Sequence, residues 1–218
     1  MIIRELMTSD VLTIGEEKSM LEARELMLSN NYRRIPVVDD IKRIRGIITD
    51  GDIGRSEPSD ASTLSKYEAS YLLSKLKVRD VMTKAVITVR ETDGIEIAAY
   101  QLYKNKIGAL PVVNDENKLC GIITDSDIFK AFVDIMGYAQ TSTKITIDTT
   151  DKVGVLADIT GIFKERGINI ISIVTRNVGN SNAEIVLRAD LTNGMDVVEQ
   201  IREAGFNITD ISTLKAGQ

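Results

Sequence analysis

The feature that most constrains the fold of this chain is an internal repeat. The segment GIITDGDI, which begins at Gly46, returns as GIITDSDI at Gly121, an offset of 75 residues. Two further pairs of segments, MTSDVLTI with MTKAVITV and IPVVDD with LPVVND, keep the same offset. Because three segments share one register, the N-terminal part of the chain is a tandem duplication.

Each copy predicts a β-α-β-β-α unit. A β-rich run (Val11–Ile14 or Val86–Val89) precedes a helix, which the second copy marks with apolar residues at i, i+3, i+4 and i+7 from Ile95. A strand beginning at proline follows (Pro36–Val38 or Pro111–Val113), then a turn, the GIIT strand and a last helix. One unit has too few strands to bury both faces, so we expect the two copies to pack together as one domain.

The repeat also divides the chain into predicted segments. We assign 1–54 to the first copy, 55–77 to a helical linker and 78–136 to the second copy, with a short linker at 137–143 and a further domain at 144–213. In the first linker, TLSKYEASYLLSKL has the pattern of a helix. The side chains expected to pack this helix are Leu64, Tyr67, Tyr71 and Leu72.

The C-terminal domain follows a different plan. It begins with a strand (Ile145–Asp148) and a helix from about Gly154, and the strands INIISIVTR and AEIVLRAD flank the turn NVGNSN. A helix (Met195–Ala204) and a last strand (Asn207–Ile211) complete the order β-α-β-β-α-β, which is ferredoxin-like. The predicted fold class is therefore α/β (α+β), with two packed β-α-β-β-α units and a ferredoxin-like domain.

Composition excludes several classes of function. The net charge of −5 argues against a nucleic-acid partner, and no apolar run approaches the roughly 18 residues of a membrane span. The start of the chain does not resemble a secretory signal, and the single cysteine, Cys120, cannot form an internal disulfide, so we expect a cytoplasmic protein. With no histidine, one cysteine and no Gly-rich phosphate loop, the chain lacks the reagents of most hydrolytic enzymes and metal sites.

Each GIIT segment places an aspartate three residues after its threonine, as Thr49 with Asp52 and Thr124 with Asp127. The first turn of the following helix exposes N–H groups that suit a phosphate, and the carboxylate could accept both hydroxyl groups of a ribose. The same spacing also matches a capping box, in which Thr and the acidic residue stabilise the helix end. The residues alone leave both interpretations open.

A basic residue follows each aspartate by one helical turn. This residue is Arg55 in the first copy and Lys130 in the second, and either could reach a phosphate. The carboxylate pairs at Asp50 and Asp125 also leave an enzyme with acid–base or metal chemistry as a weaker hypothesis.

The whole pattern of VMT, amphipathic helix, Pro-Val-Val strand and GIITD.DI, twice in tandem, resembles the CBS domain pair (Bateman module) over residues 1 to about 135. The resemblance implies that the G-h-h-T-x-x-D segment holds the ribose and phosphate of an adenine nucleotide. The segment before Pro-Val-Val would line the base, together with part of the first strand. The residues implied in this way are Thr49, Asp52, Arg34, Ile35 and Pro36 for one site, and Thr124, Asp127, Ala109, Leu110 and Pro111 for the other.

The two implied sites differ in charge. Arg33 and Arg34 would favour a more anionic ligand such as ATP at the first site, unless they are only a solvated surface pair. The corresponding segment of the second copy, KIGALPVV, is small and apolar and suits an adenine face. AMP, ADP, ATP, NAD and S-adenosylmethionine all contain adenosine, so the sequence does not distinguish among them.

The run DKVGVLADI and the strand INI resemble the ACT domain, a regulatory fold that often binds amino acids between paired copies. Gly154 would form a tight turn whose amides could meet a carboxylate, with Asp151 and Asn169 as nearby polar candidates. Alternatively Gly154 is only a turn, Asp151 is a helix cap and the domain serves only to dimerise. A CBS pair followed by ACT resembles acetoin-utilization proteins of the AcuB type.

These resemblances imply a non-catalytic regulatory protein that senses an adenine nucleotide or another adenosyl ligand, with a small metabolite or amino acid as a second ligand at ACT. Homodimerisation and an unidentified regulated protein are the expected partners, and neither a nucleic acid nor a membrane is expected. The alternative is a dimerising scaffold that binds no small molecule.

Overall fold

A computed structural model describes residues 1–56, 66–191 and 194–215. The chain separates into two compact units, Met1–Ile128 and Phe129–Gln218, each with its own hydrophobic core. In the part of the chain that the structure describes, none of the helices is long and apolar enough to cross a membrane.

The first unit contains both copies of the repeat. After a 3₁₀ turn (Ile3–Glu5), its elements are α1 (Met20–Asn30), β1 (Arg34–Val38), β2 (Ile44–Thr49), α2 (Asp50–Ser56), α3 (Lys66–Lys75), α4 (Val78–Val81), β3 (Val89–Arg90), α5 (Ile95–Asn105), β4 (Ala109–Val113), β5 (Leu119–Thr124) and α6 (Asp125–Ile135), which continues into the second unit. These elements confirm the predicted order in each copy, except that the first strands are reduced. Val11–Ile14 contributes only a bridge from Ile14 to Val37, and β3 has two residues.

Each copy forms a hairpin against its own helices. β1 pairs with β2 and β4 pairs with β5, both antiparallel and with a bulge at the same place in the repeat. Helix α1 begins at a capping box in which Glu22 accepts hydrogen bonds from the backbone N–H and hydroxyl of Ser19 at 2.8 and 2.9 Å. With Lys18 also donating, these hydrogen bonds lower the pKa of Glu22 to about 2.

The leading segments of the two copies are exchanged. Thr8 of the first copy bridges Ile122 of the second, and Thr83 of the second bridges Ile47 of the first. The fully buried side chain of Ile3 belongs to the hydrophobic cluster of the second copy. Neither copy completes its core alone, so the expected packing into one domain is confirmed by an exchange of strand-like segments.

Helix α3 packs with a different face from the predicted one. Tyr67, Tyr71 and Leu72 are exposed, and Leu73 instead is buried in the cluster around α1. Leu64 lies outside the described residues. The prediction for the exposed three is wrong because residues 73 and 76 give an equally good i, i+3 stripe, and tyrosines tolerate solvent better than leucine.

The second unit confirms the ferredoxin-like arrangement. Its elements are β6 (Ser142–Thr150), α7 (Val155–Glu165), β7 (Ile170–Gly179), β8 (Asn182–Ala189), α8 (Asp196–Glu203) and β9 (Asn207–Leu214). The strands form one antiparallel sheet in the order β7-β8-β6-β9. Phe163 of α7 and Ile201 of α8 pack with Ile145 and Leu187 of the central strands, so both helices cover the same face of the sheet.

Candidate functional site

Both Thr-x-x-Asp segments form reciprocal caps at a strand-to-helix junction. The backbone N–H and the hydroxyl of Thr49 donate to one carboxylate oxygen of Asp52 at 2.8 and 2.7 Å, and the N–H of Asp52 donates to Thr49 Oγ1 at 3.2 Å. Thr124 and Asp127 repeat the arrangement at 2.8, 2.7 and 3.3 Å. The capping interpretation therefore describes the observed geometry, which leaves the threonine side chain at the junction for further contacts.

The two aspartates differ in their charged neighbours. Asp52 is buried and forms an ion pair with Arg55 through its second carboxylate oxygen. Asp127 is half-buried, and it forms no ion pair with Lys130 on the same helix. Arg55 is thus engaged with a carboxylate, whereas among the described residues Lys130 has no such partner.

A cavity of about 270 Å³ opens beside Thr49, and we call it the Thr49 cavity. Its wall combines the GIIT strand of the first copy with the leading segment and β4 region of the second copy. The lining residues are Arg34, Ile47, Thr49, Asp50, Thr83, Ala85, Val86, Ile87, Ile107, Gly108, Ala109 and Pro111. The wall of the Thr49 cavity is therefore formed mainly by small and aliphatic residues.

A second cavity, of about 590 Å³, opens beside Thr124, and we call it the Thr124 cavity. It combines the GIIT strand of the second copy with the leading segment and β1 region of the first. The lining residues are Thr8, Asp10, Val11, Leu12, Asn31, Tyr32, Arg33, Arg34, Pro36, Ile122, Thr124, Asp125 and Ser126. This wall is the more polar and the more charged of the two.

The pairing of segments differs from the one expected within a single copy. Thr49 shares its cavity with Ala109 and Pro111, and Thr124 shares its cavity with Arg34 and Pro36. The reason is the packing of the two hairpins: each presents its proline and threonine strands to the other copy, and the leading segments are exchanged.

Two residues expected to line the base pockets do not face either cavity. Ile35 and Leu110 are fully buried in the hydrophobic clusters of their own copies. Side chains alternate along a strand, so the neighbours of Ile35, Arg34 and Pro36, point to the opposite face. Ile35 and Leu110 therefore contribute their side chains to the core, and a contact of either residue with a ligand stays a prediction.

Four further residues expected at the sites are absent from both cavity walls. Asp52, Asp127, Arg55 and Lys130 are on the helices that start at the two threonines, and none of them is part of a cavity wall. Residues of the leading segments, such as Thr8 and Thr83, were not named from the sequence. Thr8 and Thr83 occupy equivalent positions in the repeated segments MTSDVLTI and MTKAVITV, and this equivalence could have identified them from the sequence.

The carboxylates of the first pair, Asp50 and Asp52, are bound by neighbouring groups. Asp52 is held by Thr49 and Arg55, and Asp50 accepts the N–H of Gly51 at 2.8 Å. Across residues 1–56, 66–191 and 194–215, no cluster of three or more His, Cys, Asp or Glu could hold a metal ion.

In the second unit, a cavity of about 290 Å³ lies at the start of α7. Gly154 lines it with φ of +99°, the left-handed conformation that favours glycine, and Asp151 also lines it. Asp151 does not cap α7, because its carboxylate instead accepts the side-chain amide of Asn177 at 3.3 Å. Asn169 is exposed and lies outside this cavity wall.

Family models match about four fifths of the chain. The CBS domain matches residues 3–56 and 78–134, and the ACT domain matches residues 143–203. The tandem CBS pair followed by ACT, inferred from the repeat and the C-terminal pattern, is thereby confirmed.

Two curated relatives match somewhat more than half of the chain. The chain is 35% identical over 128 residues to homoserine O-acetyltransferase of Methanosalsum zhilinae, covering 59% of this chain and 23% of the relative. It is 35% identical over 126 residues to inosine-5′-monophosphate dehydrogenase of Methanocaldococcus jannaschii, covering 58% and 22%. The chain therefore spans less than a quarter of the length of these two relatives.

Solved structures of CBS pairs are also similar. An acetoin utilization protein (AcuB) of Vibrio cholerae is 28% identical with a TM-score of 0.52, covering 63% of this chain and 93% of that one. CBSX2, a CBS-pair protein of Arabidopsis thaliana, was solved with AMP and is 29% identical, with a TM-score of 0.51 and coverage of 62% and 97%. A CBS pair solved with 5′-methylthioadenosine and S-adenosyl-L-methionine is 26% identical, with a TM-score of 0.50 and coverage of 61% and 95%.

Proposed function

This chain belongs to the CBS domain family, and on that premise we propose that it is a non-catalytic regulatory protein whose CBS pair binds an adenosyl ligand. The candidates are AMP, ADP, ATP, NAD and S-adenosylmethionine. Binding would change the relative stability of two states of the protein, which a partner protein then detects. The support from relatives is that two similar CBS pairs were solved with AMP and with S-adenosyl-L-methionine.

The observation that carries the proposal is the pair of equivalent cavities. Each joins the leading segment and proline strand of one copy to the threonine of the other, and the volumes of about 270 and 590 Å³ leave room for a small molecule. Val86, Ile87 and Ala109 offer aliphatic contacts to a flat base in the Thr49 cavity. The hydroxyl of Thr49 donates its proton to Asp52, so its oxygen can accept a hydrogen bond from a ribose hydroxyl of the ligand.

A thermal-shift panel tests this function with AMP, ADP, ATP, NAD, S-adenosylmethionine and 5′-methylthioadenosine. A ligand at 100 times its dissociation constant adds about 2.7 kcal/mol, and each kcal/mol raises the midpoint by roughly 2–4 °C in a chain of this size. We expect Thr49→Val and Thr124→Val to reduce the ligand-induced rise, because each removes a hydroxyl from a cavity wall.

The matched control is Ser19→Ala, which removes the capping hydroxyl of α1 and lies in neither cavity wall. It should lower the midpoint without ligand by an amount similar to the threonine variants, since a lost cap costs about 1 kcal/mol. Its ligand-induced rise should equal that of the native protein. If no adenosyl compound raises the midpoint, the proposal fails and the scaffold hypothesis, in which the Thr-x-x-Asp segments are only caps, takes its place.

We also propose that the protein acts as a homodimer. The second half of α6 exposes Phe129, Phe132 and Val133 at a spacing of i, i+3 and i+4. Such a stripe suits an isologous contact with the same helix of a second copy, because apolar faces are self-complementary. The regulated protein is unidentified.

For the ACT domain, we propose that the cavity beside Gly154 takes the carboxylate of a small metabolite or amino acid. Two features support this proposal: the cavity lies at the N-terminal turn of α7, and no side chain caps that helix at Gly154. Adding amino acids to the thermal-shift panel tests it, and no rise with any of them would leave dimerisation as the role of this domain.

A further inference from the structure

One side chain breaks the equivalence of the two cavities. At an offset of 75 residues, most residues in the wall of the Thr49 cavity match residues of the Thr124 cavity, for example Thr83 with Thr8 and Pro111 with Pro36. Asn31 and Ser126 of the Thr124 cavity have no counterpart in the other wall, and Arg34 departs from the match in a different way. It is the only one of the described residues that lines both cavities, although its counterpart Ala109 lines just one.

The glycine at position 108 explains how Arg34 reaches the second cavity. A Cβ atom on Gly108 would lie 2.6 Å from Nη1 and 3.1 Å from Cζ of Arg34. The guanidinium therefore rests against the backbone of the other copy, in space that any side chain at position 108 would occupy. The counterpart of Gly108 in the first copy is Arg33, so the reverse contact is not formed.

Arg34 also decides the charge of both cavity walls. In the Thr49 cavity, the charged wall residues are Arg34 and Asp50. In the Thr124 cavity they are Arg34 with Asp10, Arg33 and Asp125. Without Arg34, acidic residues would outnumber basic ones in each wall, which would disfavour a phosphate. One guanidinium thus supplies the balancing charge for two cavities.

We propose that Arg34 couples the two cavities and makes them compete for anionic ligands. A phosphate-bearing ligand in one cavity draws the guanidinium towards itself and leaves the other wall with excess negative charge. The second phosphate-bearing ligand then binds more weakly, while an adenosyl ligand without a phosphate binds to both cavities independently. This inference rests on the proposed function, since it describes how the same two cavities respond to the charge of their ligand.

The test measures the coupling as a departure from independent binding. Val86→Trp fills the Thr49 cavity and Val11→Trp fills the Thr124 cavity, at uncharged, half-buried positions that are equivalent in the repeat. Calorimetry on these two variants gives the affinity of each open cavity alone, for AMP and for 5′-methylthioadenosine. Those two affinities predict the binding curve of the native protein if the cavities are independent.

For AMP, we expect the second binding step of the native protein to be about tenfold weaker than that curve, within the usual range of coupling between sites. For 5′-methylthioadenosine, which has no phosphate, the binding of the native protein should match the curve calculated for independent cavities. In the Arg34→Ala background, the measured AMP binding should also match the curve calculated for independent cavities. In the Arg33→Ala background, which changes only the Thr124 cavity, the departure for AMP should persist.

The outcomes separate this inference from the proposed function. The coupling is refuted if both ligands bind and AMP binding matches the curve for independent cavities. It is also refuted if AMP binding still departs from that curve in the Arg34→Ala background. In both cases the proposed binding of adenosyl ligands is retained. If neither ligand binds to the native protein, the proposed function fails and the coupling fails with it. Circular dichroism on each variant checks that the fold is retained before its affinity is interpreted.

Discussion

At the scale of single residues, the exchanged segments depend on two glycines. Gly46 and Gly121 are equivalent in the repeat, and each is contacted by a methionine of the other copy, Met82 and Met7. A Cβ at position 46 would lie 2.8 Å from Cγ of Met82 and 3.0 Å from the backbone carbonyl oxygen of Thr83. The backbone contact matters most, because a side chain can move aside more easily than the bridge that Thr83 forms with Ile47.

We therefore predict that Gly46→Ala lowers the free energy of unfolding by about 1–3 kcal/mol, the usual cost of overpacking. Urea denaturation followed by circular dichroism measures this change. Gly54→Ala is the matched control, since Gly54 lies in α2 with no atom within 4 Å of its added Cβ. That substitution should be neutral or stabilise by up to about 1 kcal/mol. Equal stability of the two variants would contradict the close packing of the exchanged segment.

The sequence predicted the Thr-x-x-Asp geometry because that geometry is local. A threonine and an aspartate three residues apart meet within one turn of helix, so Thr49 and Asp52 are placed by their spacing alone. The burial of the Ile35 side chain could not be predicted in the same way. Its burial depends on which face of β1 meets the helices, and a continuous apolar run such as IPVV does not mark that face.

At the scale of elements, α3 shows the limit of helical periodicity. Two apolar stripes are available, one with Tyr67 and Tyr71 and another with Leu73 and with Leu76, which follows the last residue of the helix. The core of the first copy selects the second stripe, and Tyr71 remains at the surface with Lys75 over its ring at 5.3 Å. The existence of the helix could be predicted from the pattern, whereas its orientation depends on the shape of the surface that it covers.

This orientation predicts unequal costs for two adjacent leucines. Leu73→Ala should lower the free energy of unfolding by about 3 kcal/mol, because it empties a buried position beside α1. Leu72→Ala, at a position that is 50% exposed, should change it by less than about 0.5 kcal/mol. Thermal unfolding of both variants makes the comparison, and a larger loss for Leu72→Ala would restore the face predicted from the sequence.

At the scale of the whole molecule, the duplication was evident in the sequence but the exchange was not. An offset of 75 residues shows that two similar units exist and that they must share a core. It does not show which copy receives each leading segment, because Thr8 would satisfy the same pairing pattern in either place. The combination of cavity walls from two copies follows from that exchange, so it could be seen only in three dimensions.

The proposed homodimer gives the last prediction. Phe132 is 59% exposed in the middle of the apolar stripe of α6, and a charge at that position would have to be buried in the contact with a second copy. We expect Phe132→Asp to convert the dimer to a monomer at micromolar concentration, measured by size-exclusion chromatography with light scattering.

Leu28→Asp is the control for this prediction, because Leu28 is 70% exposed on a different helix, α1. It introduces the same charge into a comparably exposed apolar position, so any general effect of the aspartate on solubility or folding should appear in both variants. The control should remain dimeric. A native protein that is monomeric, or a Phe132→Asp variant that stays dimeric, would show that the stripe on α6 is not the dimer contact, and dimerisation would then have to use another surface.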